Sequence, residues 1–294
     1  MCKLHFGPLI TAVVTPFNEQ QQIDVKQFAK LLQHLVNKKS TALVVTGITG
    51  EASTLNSIEK LTIWEAALDY TDGKVPIIVG VGTNNTQTTI HNIKLAEEAC
   101  VDALLVVTPY YNIPSQKGIL KHFQMVSQAT ELPIILHNDP ARCGTKLELE
   151  TILELAKLSN IIGITDSTGN TKLLRKLKEK LDDDFLLYTG SDTLYHQTLA
   201  LGGTGVISVA SHLVGNSMKD IFDLYHANQS QQAQHLDAKL APLYQIIDTY
   251  PNPPIIKALL NKSGMNVGGV RLPLANLEDH EVDELWETIK ELID

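Results

Sequence analysis

Several short stretches of the chain combine residue types that can bind anions and move protons. His137-Asn138-Asp139-Pro140 with Arg142 follows one apolar run, and Thr165-Asp166 closes another. An imidazole shuttles protons near neutral pH, and a guanidinium forks onto a carboxylate. Gly47-Ile48-Thr49-Gly50-Glu51 is a glycine-bracketed turn whose backbone N–H groups and Thr49 hydroxyl can hold a carboxylate. Tyr110-Tyr111, after Thr108-Pro109, offers a phenol for proton transfer. Each has a plainer reading beside it: a tight strand–helix turn, a solvated loop arginine, and aromatics packing at an interface.

His137 and Asp139 are two apart, so both can face one way, and Asp166 or Cys143 can complete a site for an ion that stabilises an enolate. The plainer reading carries more weight. Asp139 before Pro140 is a normal turn residue, Asp166 should point away from Thr165, and Cys143 is expected to be inert. No metal and no cofactor are expected.

Eight apolar segments rich in Val and Ile must position these groups: Leu9 to Phe17, Ala42 to Gly47, Pro76 to Gly82, Ala103 to Pro109, Pro133 to Asn138, Ile161 to Asp166, Phe185 to Ser191 and Gly205 to Ala210. Most are continuously apolar, as strands covered on both faces require. Amphipathic helical patterns lie between them. Asp24 with Gln27, and Asn56 with Glu59, have capping-box spacing, and Leu174, Leu177 and Leu181 form a stripe opposite a lysine- and arginine-rich face. Eight strand–helix units close most readily into a (β/α)8 TIM barrel, because right-handed crossovers then leave no strand edge. No dinucleotide- or nucleotide-binding glycine pattern follows the first strand, which disfavours an open doubly wound sheet. Residues 1–214 read as the barrel and 215–294 as a C-terminal helical extension, with patterns near Met218 to Ala227, Gln231 to Asp248, Ile255 to Lys262 and Glu281 to Ile293. Tyr250-Pro251-Asn252-Pro253-Pro254 is a loop inside that extension. In such a barrel chemistry gathers at the C-terminal strand ends, where Ile48, Thr49, Tyr111, His137, Arg142, Thr165 and Ile207 fall.

With 294 residues, 44% hydrophobic content and no apolar run near eighteen residues, the chain reads as a soluble globular protein. The N-terminus, Met1 to Pro8, lacks a signal-peptide layout, so a cytoplasmic location is expected. Cys2, Cys100 and Cys143 have neither disulfide nor zinc-knuckle spacing. A net charge of −9 without a basic block disfavours nucleic acid and anionic membranes as partners.

Thr15-Pro16-Phe17, Gly50-Glu51 with Thr54-Leu55, Val107-Thr108-Pro109-Tyr110-Tyr111-Asn112, Gly205-Val206-Ile207-Ser208-Val209, Asn252-Pro253 with Lys257-Ala258, and Arg271-Leu272-Pro273-Leu274 together resemble the dihydrodipicolinate synthase / N-acetylneuraminate lyase family of pyruvate-using class I aldolases. The resemblance runs from about Gly7 to about Asp279. Asn138-x-Pro140-x-Arg142 is similar to the synthase branch, where the arginine receives the carboxylate of the aldehyde substrate. The resemblance implies a homo-oligomer, a dimer or a tetramer of tight dimers, with Tyr111 reaching into a neighbour's site. It also implies a small pyruvate-like oxo acid as ligand, bound through Thr49, Gly50, Arg142, Ile207 and the Ile48 turn.

The same resemblance marks a break. The family's reaction condenses a lysine ending strand six with the ketone of pyruvate. Thr165 falls at that position, and a hydroxyl cannot form an imine. The family's proton relay of two tyrosines and a threonine falls on Tyr111, His137 and Ile48, so only Tyr111 remains. At the lysine-effector positions stand Ala52, Ser57, Lys60, Asn84, Thr88 and Tyr110, of which only Asn84 and Tyr110 fit. The leading expectation is therefore an oxo-acid-binding barrel without Schiff-base catalysis. The alternatives are a weak or divergent synthase or aldolase using another amine, with Lys146, Lys172 and Lys257 as candidates, and less readily a metal-assisted lyase through His137 and Asp139.

Overall fold

The computed structural model describes residues 6–293. Eight strands close in chain order into a barrel. They are β1 Leu9–Ala12, β2 Ala42–Val45, β3 Ile77–Gly80, β4 Ala103–Val107, β5 Ile134–Asn138, β6 Ile161–Asp166, β7 Leu186–Thr189 and β8 Gly205–Ser208. Each expected apolar run supplies one strand, so the expected (β/α)8 TIM barrel is the fold. Between the strands lie α1 Val25–Asn37, α2 Ser57–Thr71, α3 Thr86–Glu98, α4 Gln116–Gln128, α5 Pro140–Cys143, α6 Leu149–Leu155, α7 Thr171–Lys180 and α8 Tyr195–Ala200. A helical segment follows: α9 Ser211–His226, α10 Ser230–Thr249, α11 Pro254–Lys262 and α12 Asp279–Ile289.

Most strands are shorter than their apolar runs, for local reasons. β2 stops at Val45 because Thr46 takes a left-handed φ of 51°, which a ladder does not tolerate. After β1, Val13 still donates to Val44, but Pro16 has no N–H, and Phe17 forms an antiparallel bridge with Ile23 instead. The cap signals behave unequally. Asn56 and Glu59 make both halves of a capping box, whereas Asp24 accepts from Gln27 N at 2.9 Å as a simple N-cap.

Packing divides the chain into two compact units, Met1–Pro76 with Ser208–Asp294, and Ile77–Ile207. In the first, β1 and β2 pair in parallel, and Phe28, Leu31, Leu32 and Leu35 form the buried stripe of α1. In the second, β3 to β8 form a continuous parallel ladder whose strands are almost wholly apolar and buried until their C-terminal ends. Among the described residues, no helix is long and apolar enough to cross a membrane. The reading of the first residues as lacking a signal peptide, and Cys2 with it, falls on Met1–His5, outside the described residues.

Candidate functional site

In the second unit the ladder register aligns Val107, His137, Thr165, Tyr188 and Gly205 in one row across β4 to β8. Side chains at matched positions of parallel neighbours share a face. The next residues along, Asn138 and Asp166, face the other way. Asn138 Nδ2 donates to Asp166 Oδ1 at 2.6 Å, and Asn138 Oδ1 accepts from Leu147 N in the segment leading to α6. That face looks toward the helix layer, so the row bearing His137 and Thr165 looks inward. Asp166 also accepts from the Thr168 hydroxyl at 2.5 Å, and burial raises its pKa. Asp166 is thus a structural carboxylate turned away from Thr165.

Thr165 is 1% exposed, and among the described residues its Oγ1 has no hydrogen-bond partner. Gly190 helps leave it uncovered, since a Cβ there would lie 3.3 Å from Thr165 Oγ1 and 2.1 Å from Ser167 Oγ. His137, the register partner of Thr165, has a side chain only 15% exposed. Its Nε2 lies 4.0 Å from Asp139 Oδ2, and Arg142 Nε lies 3.6 Å from the same oxygen. Asp139 Oδ1 meanwhile accepts from Arg142 N at 3.2 Å as the N-cap of α5. Burial lowers the pKa of His137, Asp139 opposes that shift, and Arg142 adds to it. The buried, unpaired Thr165 hydroxyl beside the partly buried His137 is what a ligand's polar group would complete.

Tyr188 was not among the sequence candidates. It is fully buried, and burial raises its phenol pKa. The strand-seven run, Phe185 to Ser191, reaches two residues beyond β7, and only the register with Thr165 marks Tyr188 as its neighbour. Tyr111 is 87% exposed and holds a left-handed φ of 71°. A bulky residue kept there stores strain of the kind found at functional sites. Tyr110 is more enclosed, and burial, then Cys143, raises its pKa. Ile207 is buried on β8. Cys143 is buried with its pKa raised to about 11, so it remains a thiol. Among the described residues, no group of three or more His, Cys, Asp or Glu side chains is arranged to hold a metal.

In the first unit the turn after β2 is built as a cradle. Thr49 is buried and its Oγ1 accepts from Asn252 Nδ2 at 2.9 Å. Thr15 Oγ1 donates to Gly50 O at 2.7 Å, fixing the far side of the turn. Glu51 N closes onto Ile48 O, while among the described residues the N–H groups of Thr49 and Gly50 donate to no protein acceptor. Ile48 is only partly buried. A Cβ on Gly50 would lie 3.0 Å from Val13 O, tighter than ordinary van der Waals contact, so the close backbone approach favours glycine.

Glu51, in a left-handed conformation, enters the sequence reading only as part of the β2 turn and the Gly50-Glu51 motif, without a role of its own. Its Oε1 lies 2.6 Å from Lys257 Nζ and its Oε2 accepts from Arg271 N at 2.9 Å. Lys257 also donates to Gly269 O at 2.7 Å, and Lys257 and Arg271 each place a cation 4.3 Å from the Phe17 ring centre. Arg271 forks onto Glu59 at 2.6 and 3.1 Å. The residues of the Thr-Pro-Phe, Gly-Glu, Lys-Ala and Arg-Leu-Pro-Leu motifs are therefore one packed network. Lys146 and Lys172, the other candidate amines, are exposed.

Comparison with known proteins places this geometry. The profile of the dihydrodipicolinate synthetase family matches residues 5–292. The chain is 42% identical over 282 residues to 4-hydroxy-tetrahydrodipicolinate synthase 1 of Halalkalibacterium halodurans, covering 96% of each. It is 44% identical over 288 residues to the 4-hydroxy-tetrahydrodipicolinate synthase of Lactococcus lactis, covering 98% of this chain and 97% of that one. Among solved structures, dihydrodipicolinate synthase from Bacillus anthracis superposes with a TM-score of 0.96 at 37% identity, covering 99% of this chain and 100% of that one.

Proposed function

The chain belongs to the dihydrodipicolinate synthetase family, and we propose that it binds a small pyruvate-like oxo acid without forming the Schiff base on which the family's lyase chemistry rests. The observation that carries this reading is the buried, unpartnered Thr165 hydroxyl on the inward row of β6. By family resemblance that position belongs to the imine-forming lysine, and a hydroxyl cannot supply the electron sink. Thr49, Gly50, Arg142 and Ile207 are the proposed ligand-binding residues. The unpaired N–H groups of the β2 turn suit a carboxylate, and Asp139 braces the Arg142 fork. Ile48 and His137 stand where the relay needs hydroxyls, and Tyr111 remains as its third member.

We read residues 1–214 as the barrel and 215–294 as an extension that braces the β2 turn through Asn252 and Lys257. A homodimer or homotetramer fits the exposed, strained Tyr111, and the missing effector side chains argue against lysine feedback. A weak or divergent 4-hydroxy-tetrahydrodipicolinate synthase is the second reading, favoured by 35% to 44% identity to proteins of that name. Calorimetric titration with pyruvate tests the proposal. Wild-type protein should bind, and Arg142→Ala should weaken binding at least about tenfold, the loss expected for a charge-assisted pair. Absence of pyruvate binding in the wild type would remove it.

A further inference from the structure

One layer from Thr165 toward the strand ends, a second hydroxyl stands on the same face. Side chains alternate along a strand, so Thr165 and Ser167 point the same way. The ladder holds this far: Ser167 N donates to Asn138 O at 2.9 Å, and Gly190 N donates to Asp166 O at 2.9 Å. Gly190 then lies beside Ser167, as Tyr188 lies beside Thr165. A Cβ on Gly190 would come 2.1 Å from Ser167 Oγ and 3.3 Å from Thr165 Oγ1, so the two oxygens border one point and their separation is at most the sum of those distances. Two hydroxyl hydrogen bonds of about 2.7–2.8 Å each, meeting at one ligand oxygen, reach across that whole range.

Neither hydroxyl is used by the fold. Thr165 Oγ1 is buried without a partner, and among the described residues the half-buried Ser167 hydroxyl makes no hydrogen bond. Each can donate. A carbonyl oxygen has two lone pairs and accepts both bonds, a hydroxyl oxygen also satisfies both groups, and a methylene satisfies neither. The free protein already carries the cost of the unpaired Thr165 hydroxyl, so an oxygen arriving there gains a bond without breaking one within the protein. Gly190 makes the arrangement possible, because a Cβ at that position would displace the Ser167 hydroxyl.

We infer that the ligand is a short carboxylic acid bearing oxygen on C2, held without a covalent bond and with that oxygen between Thr165 Oγ1 and Ser167 Oγ, and that Ser167 is the residue that selects it. This assignment rests on the proposed binding of a small acid and names the ligand atom that is recognised. Ser167 lies nearer the strand ends than Thr165, so an acid entering from that side meets it first. A site that pairs with a ligand oxygen rejects the analogue lacking it.

The test is a parallel calorimetric titration of the full-length protein with pyruvate and with propionate, which has the same three carbons and no oxygen on C2. Pyruvate should bind at least about tenfold more tightly, the gain expected from two hydrogen bonds. Ser167→Ala should lower that preference at least about threefold, through a loss of pyruvate affinity. Gly190→Ala, whose methyl displaces the Ser167 hydroxyl, should lower it as well. A merely structural effect would weaken both acids alike and leave their ratio unchanged, and urea midpoints establish that each variant is folded. A smaller preference in the wild type, or an unchanged ratio in Ser167→Ala, would overturn this inference while leaving acid binding intact. Binding of neither acid would overturn the proposed function as well.

Discussion

Lys257 Nζ lies 2.6 Å from Glu51 Oε1, and the two side chains are 1% and 0% exposed. Burial lowers the lysine pKa to about 8, against the pull of Glu51, so the amine stays largely protonated at neutral pH. It is the one lysine among the described residues in the buried class, and it is committed to a carboxylate, a carbonyl and an aromatic face. An amine so engaged is a poor substitute for an imine-forming nucleophile.

Removing one partner of that pair leaves a buried charge without compensation. Lys257→Met should destabilise the protein by about 3–5 kcal/mol, whereas Lys257→Met with Glu51→Gln should recover most of the loss. Urea unfolding of the two variants checks this, and equal instability of both would show that the pair itself is not the source.

The Asn252 amide donates to Thr49 Oγ1, which leaves the Thr49 hydrogen available for an incoming carboxylate. Asn252→Asp reverses the bond, because the new carboxylate accepts that hydrogen and repels an anion. Pyruvate affinity should fall more than about tenfold in Asn252→Asp and by a smaller factor in Asn252→Ala. Calorimetry on the pair decides, and the opposite order would contradict this role for Asn252.

Two buried histidines should make the fold sensitive to mild acid. His212 accepts from Val14 N through Nε2 and meets Val209 O through Nδ1, while His122 Nδ1 meets the Thr86 hydroxyl. Burial lowers both pKa values from 6.5 to about 4. Between those values the unfolded chain binds protons that the folded chain refuses. Stability is therefore complete above pH 6.5 and is lost as pH falls toward 4, by up to about 1.4 kcal/mol per pH unit for each histidine. Urea midpoints from pH 7 to 4.5 measure the slope, and His122→Gln should flatten it.

Much of this architecture was legible in the sequence, and the misses have physical causes. Continuous runs such as Ile161 to Asp166 announce buried parallel strands, and the Asn56–Glu59 box is local, so both were read correctly. The strand end at Thr46 was overrun because composition does not reveal a left-handed φ, whereas Pro16, with no N–H to give a ladder, is legible in the run itself. The Glu51–Lys257 pair spans 206 residues, and no periodicity encodes such a contact. Tyr188 is a site neighbour only through its register with Thr165. Asp139 read as a turn residue, which it is, but its second oxygen faces His137 and Arg142.

Restoring the amine alone should not restore catalysis. Proton transfer by positioned groups contributes about 10² to 10⁴ in rate, and on the proposed reading Ile48 and His137 stand where the relay needs hydroxyls. Given pyruvate and the family's aldehyde substrate, Thr165→Lys should turn over at least about a hundredfold more slowly than the triple variant Thr165→Lys, Ile48→Thr, His137→Tyr. Coupled assays on both variants check this, and equal rates would mean the relay is dispensable here.

On the proposed reading, no lysine among the described residues is able to capture a keto acid. Intact-mass spectrometry after incubation with pyruvate and borohydride measures that directly. An unchanged mass is the expected result, with Thr165→Lys gaining a reduced pyruvate adduct as the positive control. A stable adduct of that mass on the wild-type chain, mapped to any lysine, would contradict the account.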